Sequence, residues 1–329
     1  MRKHGIGRRE WLAGAVAAGA VAAGTATGCR QAGAPSEKSR VTVLKSAAYN
    51  QDVYATVRRL LEDQKLNVKD KHVVLKPNLV EFDPTRPINT NPLFVHAALE
   101  GFRALGAASV RIAEGPGHRR DSLDLADAAG YFSTIPGFED RFRDLNFDAV
   151  ERIALRNPHS KLTELYLPQT LLGADLIVSL AKMKTHHWAG ATLSMKNFFG
   201  TVPGSIYGWP KNVLHWAGIP ECIADLHNVF PKHFGLVDGI VGMEGNGPIQ
   251  GTGKFAGVIA GSRDMVALDA TCCRIMGIDP ARAEYLRLSA KNGQLDAANV
   301  IQSGETLASV QTDFELFGEF KDWRLKRGA

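Results

Sequence analysis

DLIVSLAKMKTHHWAGATLSMKNFFG, residues 175–200 of a 329-residue chain, sets the fold class and the place of the site. Its apolar run, 176–180, is short and partly β-branched, which suits a strand buried on both faces of a parallel sheet. Polarity then changes abruptly: Lys182, Lys184, Thr185, His186, His187, Ser194, Lys196 and Asn197 follow, with Gly190 among them and Gly200 at the end. In an open α/β sheet, ligands bind in the crevice beyond the carboxyl ends of the strands. Lysines after a strand are ordinarily solvated loop residues, so the stretch needs support from the rest of the chain.

That support comes from alternation. Strand patterns at 41–44, 72–75, 109–113, 176–180, 234–237 and 257–260 interleave with helical spacing at 53–61, 92–105, 123–129, 219–229, 265–276 and 282–290. Such alternation predicts an α/β fold, a mainly parallel sheet covered by helices on both faces. Residues 132–169, with Pro136, Pro158 and Pro168, break the pattern and read as an irregular insertion. The domain is expected over 41–310, with a C-terminal tail at 311–329.

Polar sets leave the strands at one end. Lys76-Pro77-Asn78 follows 72–75, Glu114-Gly115-Pro116-Gly117-His118 follows 109–113, Lys182 to His186 follows 176–180, and Asp238-Gly239 follows 234–237. In a parallel sheet these ends lie together, so Lys76, Glu114, Lys184, His186, Lys196 and Glu244 are expected in one site. The lysines, Lys182 included, would clamp carboxylate or phosphate oxygens, while Asn78, Asn197 and Asn246 orient the ligand. His186 is the expected general acid or base, with Glu114 or Glu244 as partner and Lys184 beside them. A metal held by His186 and Glu114 is equally open. The glycine-dense run 244–254 could wrap an anion with backbone N–H groups, but Phe255 stands where a phosphate-binding loop needs Ser or Thr.

The first 28 residues read as an address. Arg8-Arg9 precede Trp11-Leu12 and an Ala/Gly/Val run, as in a twin-arginine export signal, and export machinery of that kind is the expected partner. Ala26-Thr27-Gly28-Cys29 resembles a lipoprotein box; acylation of Cys29, which would anchor the chain to a membrane facing the periplasm, and an ordinary cleavage site both remain open. Residues 29–40 read as a flexible linker. The net charge is +5, but Arg2, Lys3, Arg8 and Arg9 against Glu10 supply +3 of it. No basic run with interleaved aromatics follows Cys29, which speaks against a nucleic-acid partner. The other cysteines, Cys222 and Cys272-Cys273, have no C-x-x-C spacing, which speaks against an iron-sulfur cluster.

KPN at Lys76, EGPG at Glu114, KMKTH at Lys182, SMKNFFG at Ser194, VDGI at Val237, EGNGP at Glu244 and ALDA at Ala267 stand in the order and spacing of the domain of unknown function 362 family, which the chain resembles over residues 72–280. Many relatives carry a ferredoxin-type cysteine cluster; this chain has none. The family is also distantly similar in architecture to nickel-pincer lactate racemases, a resemblance that transfers no site residues here. The expectation is an exported enzyme acting on a small anionic compound, with a non-catalytic envelope binding protein as the rival.

Overall fold

The computed structural model describes residues 38–326. Eleven strands follow in chain order: β1 (Ser39–Lys45), β2 (His72–Pro77), β3 (Ser109–Glu114), β4 (Phe142–Asp144), β5 (Val150–Ala154), β6 (Glu164–Pro168), β7 (Leu176–His186), β8 (Gly190–Thr192), β9 (His233–Glu244), β10 (Thr252–Ser262) and β11 (Val300–Gly304). Nine of them form one sheet in the order β11-β1-β10-β9-β7-β2-β3-β4, with β8 added to β7; β5 and β6 pair separately. The run β9-β7-β2-β3-β4 is parallel throughout, as is β1 with β11. β10 runs against both its neighbours, because it returns from β9 as a hairpin.

Side-chain alternation builds a core on each face. From β7, Ile177, Ala181 and Met183 enter one core, which holds Ile223 and Leu226 of the helix Ile219–Val229 and Leu268 of the helix Met265–Ile275. Val178 and Leu180 enter the other, against Val53, Val57, Leu60 and Leu61 of the helix Asp52–Asp63 and Phe94 and Phe102 of the helix Pro92–Ala104. The spacing i, i+4, i+7, i+8 puts the four residues of the first of these helices on a single stripe. The second starts cleanly because Asn91 accepts from the Leu93 N–H and Pro92 needs no donor there.

Four expectations are corrected. β7 continues to His186 and β9 to Glu244, so Lys182 and Lys184 of the opening stretch lie on a strand and not in a loop after it. They read as loop because strand lysines are normally solvated, whereas Lys182 and Lys184 are fully buried. The insertion is more ordered than its prolines imply: β4 closes the sheet edge, and Phe138 and Leu145 are buried. The segment after Val310 does not trail off, since Phe314, Leu316 and Phe320 join a core and Leu316 bridges to Gly245. Likewise Ser39 and Arg40, assigned to the linker, already belong to β1. The signal, 1–28, and Cys29 lie outside the described residues.

Candidate functional site

β2 and β3 deliver the first two charges. Lys76 Nζ donates to Glu114 Oε2 at 2.6 Å, to Asn197 Oδ1 at 3.0 Å and to the Pro77 carbonyl at 3.1 Å. Glu114 also accepts from the backbone N–H groups of Gly115 (2.8 Å) and Leu79 (3.3 Å). Asn197 returns its amide N–H to the Lys76 carbonyl and Ser179 Oγ. Burial pulls the Lys76 amine down and the Glu114 carboxyl up, each opposed by attraction to the other. Gly200 is required beside this pair: a Cβ there would land on the Glu114 carboxylate and 2.6 Å from Lys76 Nζ.

Above the pair opens a cavity of about 220 Å³, lined by Lys76, Asn78, Glu114, Lys184, Lys196 and Asn197 together with Lys211 and four imidazoles, those of His118, His186, His187 and His215. Lys184 donates to Asn78 Oδ1 (2.7 Å), the Ile88 carbonyl (2.9 Å) and the Pro248 carbonyl (3.2 Å). Lys211 donates to Asn146 Oδ1 at 2.7 Å and to the Val202 carbonyl. Lys196 Nζ stands 3.3 Å from the centroid of the Phe199 ring. Burial pushes the Lys184, Lys196 and Lys211 amines each down to about 7; neighbouring Lys182 and Lys196 add to this at Lys184, and Lys76 at the other two.

The segment carrying Lys196 and Asn197 is tethered from the far layer. Asp269, within the ALDA run, accepts from the Ser194 N–H (2.9 Å), Ser194 Oγ (2.5 Å) and the Met195 N–H (3.0 Å). Burial pushes its carboxyl up to about 7, against the pull of those donors. On the other side of the segment, the turn between β7 and β8 depends on Gly190, at φ +73°, where a Cβ would drive into the Trp323 ring.

The imidazoles differ in which nitrogen is free. His186 Nδ1 accepts from the N–H groups of Trp188 (3.0 Å) and Ala189 (3.2 Å), so the neutral ring carries its proton on Nε2. Burial, then Lys196, push its pKa well below the usual histidine value. His186 is thus a neutral donor and not the proton shuttle its ordinary pKa implied, and neither Glu114 nor Glu244 is its hydrogen-bond partner. His187 and His215 are the reverse: their Nδ1–H groups go to the Gly247 carbonyl (2.7 Å) and the Lys211 carbonyl (3.0 Å), which leaves each Nε2 as a base.

Three expected residues stand apart. Lys182 donates to Asp238 at 2.9 Å and Tyr49 Oη at 2.7 Å in a separate buried knot, because β7 slips register on β9 between Lys182 and Lys184. Glu244 accepts from the Glu315 N–H and pairs with Lys254 at 3.5 Å. Asn246 donates to Gln250. The glycine loop folds on itself: the N–H groups of Gly245, Gly247 and Gln250 meet backbone carbonyls, so it offers the cavity the Pro248 carbonyl and not an anion cradle.

A metal on His186 and Glu114 does not fit this donor set. Glu114 is committed to three donors, and among the described residues no group of three or more His, Cys, Asp or Glu side chains gathers at one point. Sequence reasoning missed Lys211 and His215; the only signal was a lysine and a histidine four apart after the turn-forming run Gly208-Trp209-Pro210.

Among solved structures, the lactate racemase apoprotein from Thermoanaerobacterium thermosaccharolyticum aligns at TM-score 0.48 and 18% identity, covering 73% of this chain and 57% of the racemase. A Thermotoga maritima protein from a structural genomics consortium aligns at TM-score 0.40 and 13% identity, covering 75% of this chain and 60% of its own. This chain therefore spans less than two thirds of either, and likenesses so weak say nothing of the cavity's chemistry. A thylakoid-associated protein of Synechocystis sp. is 29% identical over 254 residues, 73% of this chain and 75% of its own length. The Domain of unknown function (DUF362) pattern matches residues 73–274, more than half of the chain, and the chain belongs to that family.

Proposed function

We propose that the cavity binds a small anionic compound and is the catalytic site of an enzyme. One observation carries this: among the described residues, Lys184, Lys196 and Lys211 are buried in one cavity without a carboxylate partner, and the sole acidic side chain lining it, Glu114, is spent on Lys76. An uncompensated buried cation either releases its proton or takes up an anion. His187 and His215, with free Nε2 atoms, favour turnover over capture alone, since a simple anion trap needs no base.

The charge balance gives a test. The three amines fall from the ordinary 10.5 to about 7 on folding, so between those values the unfolded chain binds more protons and stability rises with pH. An anion that returns the protons reverses this gain. Oxalate or phosphate should therefore raise the melting temperature strongly near pH 6 and weakly near pH 9, with about 2.7 kcal/mol of stabilisation at a hundredfold excess over Kd. An equal rise at both pH values, or none, rejects the reading.

Export by the twin-arginine route is proposed from Arg8-Arg9, with acylated Cys29 as the membrane attachment. Among the described residues no helix is long and apolar enough to cross a membrane, and the Synechocystis relative is thylakoid-associated, which supports a location at a membrane surface. Replacing Arg8 and Arg9 with Lys should hold the protein in the cytoplasm on fractionation; undiminished export defeats the proposal.

A further inference from the structure

The three unpaired lysines are not equivalent. Lys184 spends its three N–H groups on Asn78 Oδ1, the Ile88 carbonyl and the Pro248 carbonyl, and Lys211 spends two on Asn146 Oδ1 and the Val202 carbonyl. Acceptors of this kind favour the cation and oppose the downward push of burial, which Lys196 meets without such help. Lys196 has no hydrogen-bond acceptor among the described residues; it is buried, yet its amine borders the cavity, with only the Phe199 ring beneath it. An amine placed among cations without acceptors is the one that gives up its proton, and the neutral amine keeps a lone pair directed at whatever fills the cavity.

We propose that Lys196 is a nucleophile that forms an imine with a small carbonyl acid, a compound carrying an aldehyde or ketone beside a carboxylate. The inference rests on the anion-binding reading of the cavity and names the substrate class. The carboxylate meets the Nδ2 of Asn78, which has no partner within the described chain, and the remaining N–H of Lys211. The amine lone pair forms a C–N bond to the carbonyl carbon while the carbonyl π pair moves to oxygen, which is protonated. The resulting carbinolamine releases its hydroxyl with an amine proton as water, leaving C=N. No oxidant or reductant enters. His215 is the base we assign to the amine proton: its ring packs at 5.8 Å against the Phe199 ring on which the Lys196 amine rests, and its Nε2 is free because Nδ1–H is committed to the Lys211 carbonyl. The charged and titratable groups around Lys196 among the described residues are Lys76 with Glu114, Lys184, Lys211, His118, His186, His187, His215 and Cys222, a set with one carboxylate. With burial, it keeps the amine near 7.

Glyoxylate and cyanoborohydride, applied to the full chain at neutral pH and followed by peptide mass mapping, test this. The reduced imine should accumulate on Lys196 about a hundredfold faster than on an exposed lysine such as Lys69, because far more of the buried amine is neutral. Lys196→Arg, which removes the primary amine, should abolish the label without moving it to Lys184 or Lys211. Oxalate has no reactive carbonyl and separates the two readings. If oxalate stabilises the wild type but Lys196 takes no label, or Lys184 or Lys211 takes it instead, the imine inference falls and the anion site stands. If oxalate also fails, both fall. Wild-type mapping decides the outcome even where the Arg variant does not fold.

Discussion

Glu114→Ala removes about 3–5 kcal/mol of stability, the largest loss expected from a single change in this chain, because it leaves the Lys76 ammonium buried and unpaired. Lys76 is 1% exposed and cannot turn to water without dismantling its bonds to Asn197 and Pro77. The Leu79 and Gly115 N–H groups lose their side-chain acceptor in the same stroke. Urea unfolding with an unchanged m-value measures the loss. The paired variant Lys76→Met with Glu114→Leu should recover most of it, since an apolar pair carries no desolvation penalty. A loss below about 1 kcal/mol for Glu114→Ala would mean the ion pair is solvated in solution.

This pair shows what was legible in the sequence. Strand endings at Lys76 and Glu114, with a helix between, were enough to place both at the carboxyl end of a parallel sheet, and the structure brings Lys76, Glu114, Lys184, His186 and Lys196 to one cavity. The roles were less legible than the places. The use of a histidine depends on which nitrogen meets backbone, and adjacent His186 and His187 differ in that alone. Lys182 and Lys184 look equivalent in sequence, two residues apart, yet the register slip between β7 and β9 sends one to Asp238 and the other to the cavity. Glu244 stands apart because β9 runs on past residue 237, and its extra residues carry the carboxylate beyond the crevice to meet the C-terminal segment.

Asp269→Ala is the second large effect, about 3–5 kcal/mol, and it strikes the site from the opposite layer. The carboxylate satisfies two backbone N–H groups and one hydroxyl in a region without solvent, and each group left unpaired costs roughly 1–3 kcal/mol. The same change frees the segment that holds Lys196 and Asn197, so oxalate binding should weaken along with stability. The pH dependence separates this from simple loss of packing. Because the folded carboxyl is raised to about 7 from 3.8, the folded state binds the extra proton between those values, and this group's contribution to stability falls as pH rises through 7. Asp269→Asn should abolish that slope between pH 4 and 7, and a slope unchanged in the Asn variant would show that Asp269 is ionised throughout the range.

The position of β1 constrains when this protein can fold. The first described strand lies between β10 and β11, so its two hydrogen-bonding edges wait for residues 252–262 and 300–304, which leave the ribosome more than 200 residues later. Until then Val41 and Val43, buried in the finished sheet, sit on a strand open on both sides, the kind of edge that recruits chaperones or pairs with another chain. Synthesis from the N-terminus therefore cannot yield a finished amino-terminal half. The sheet closes only once β10 and β11 have been made, and truncation before β10 yields an aggregation-prone fragment instead of a smaller folded protein.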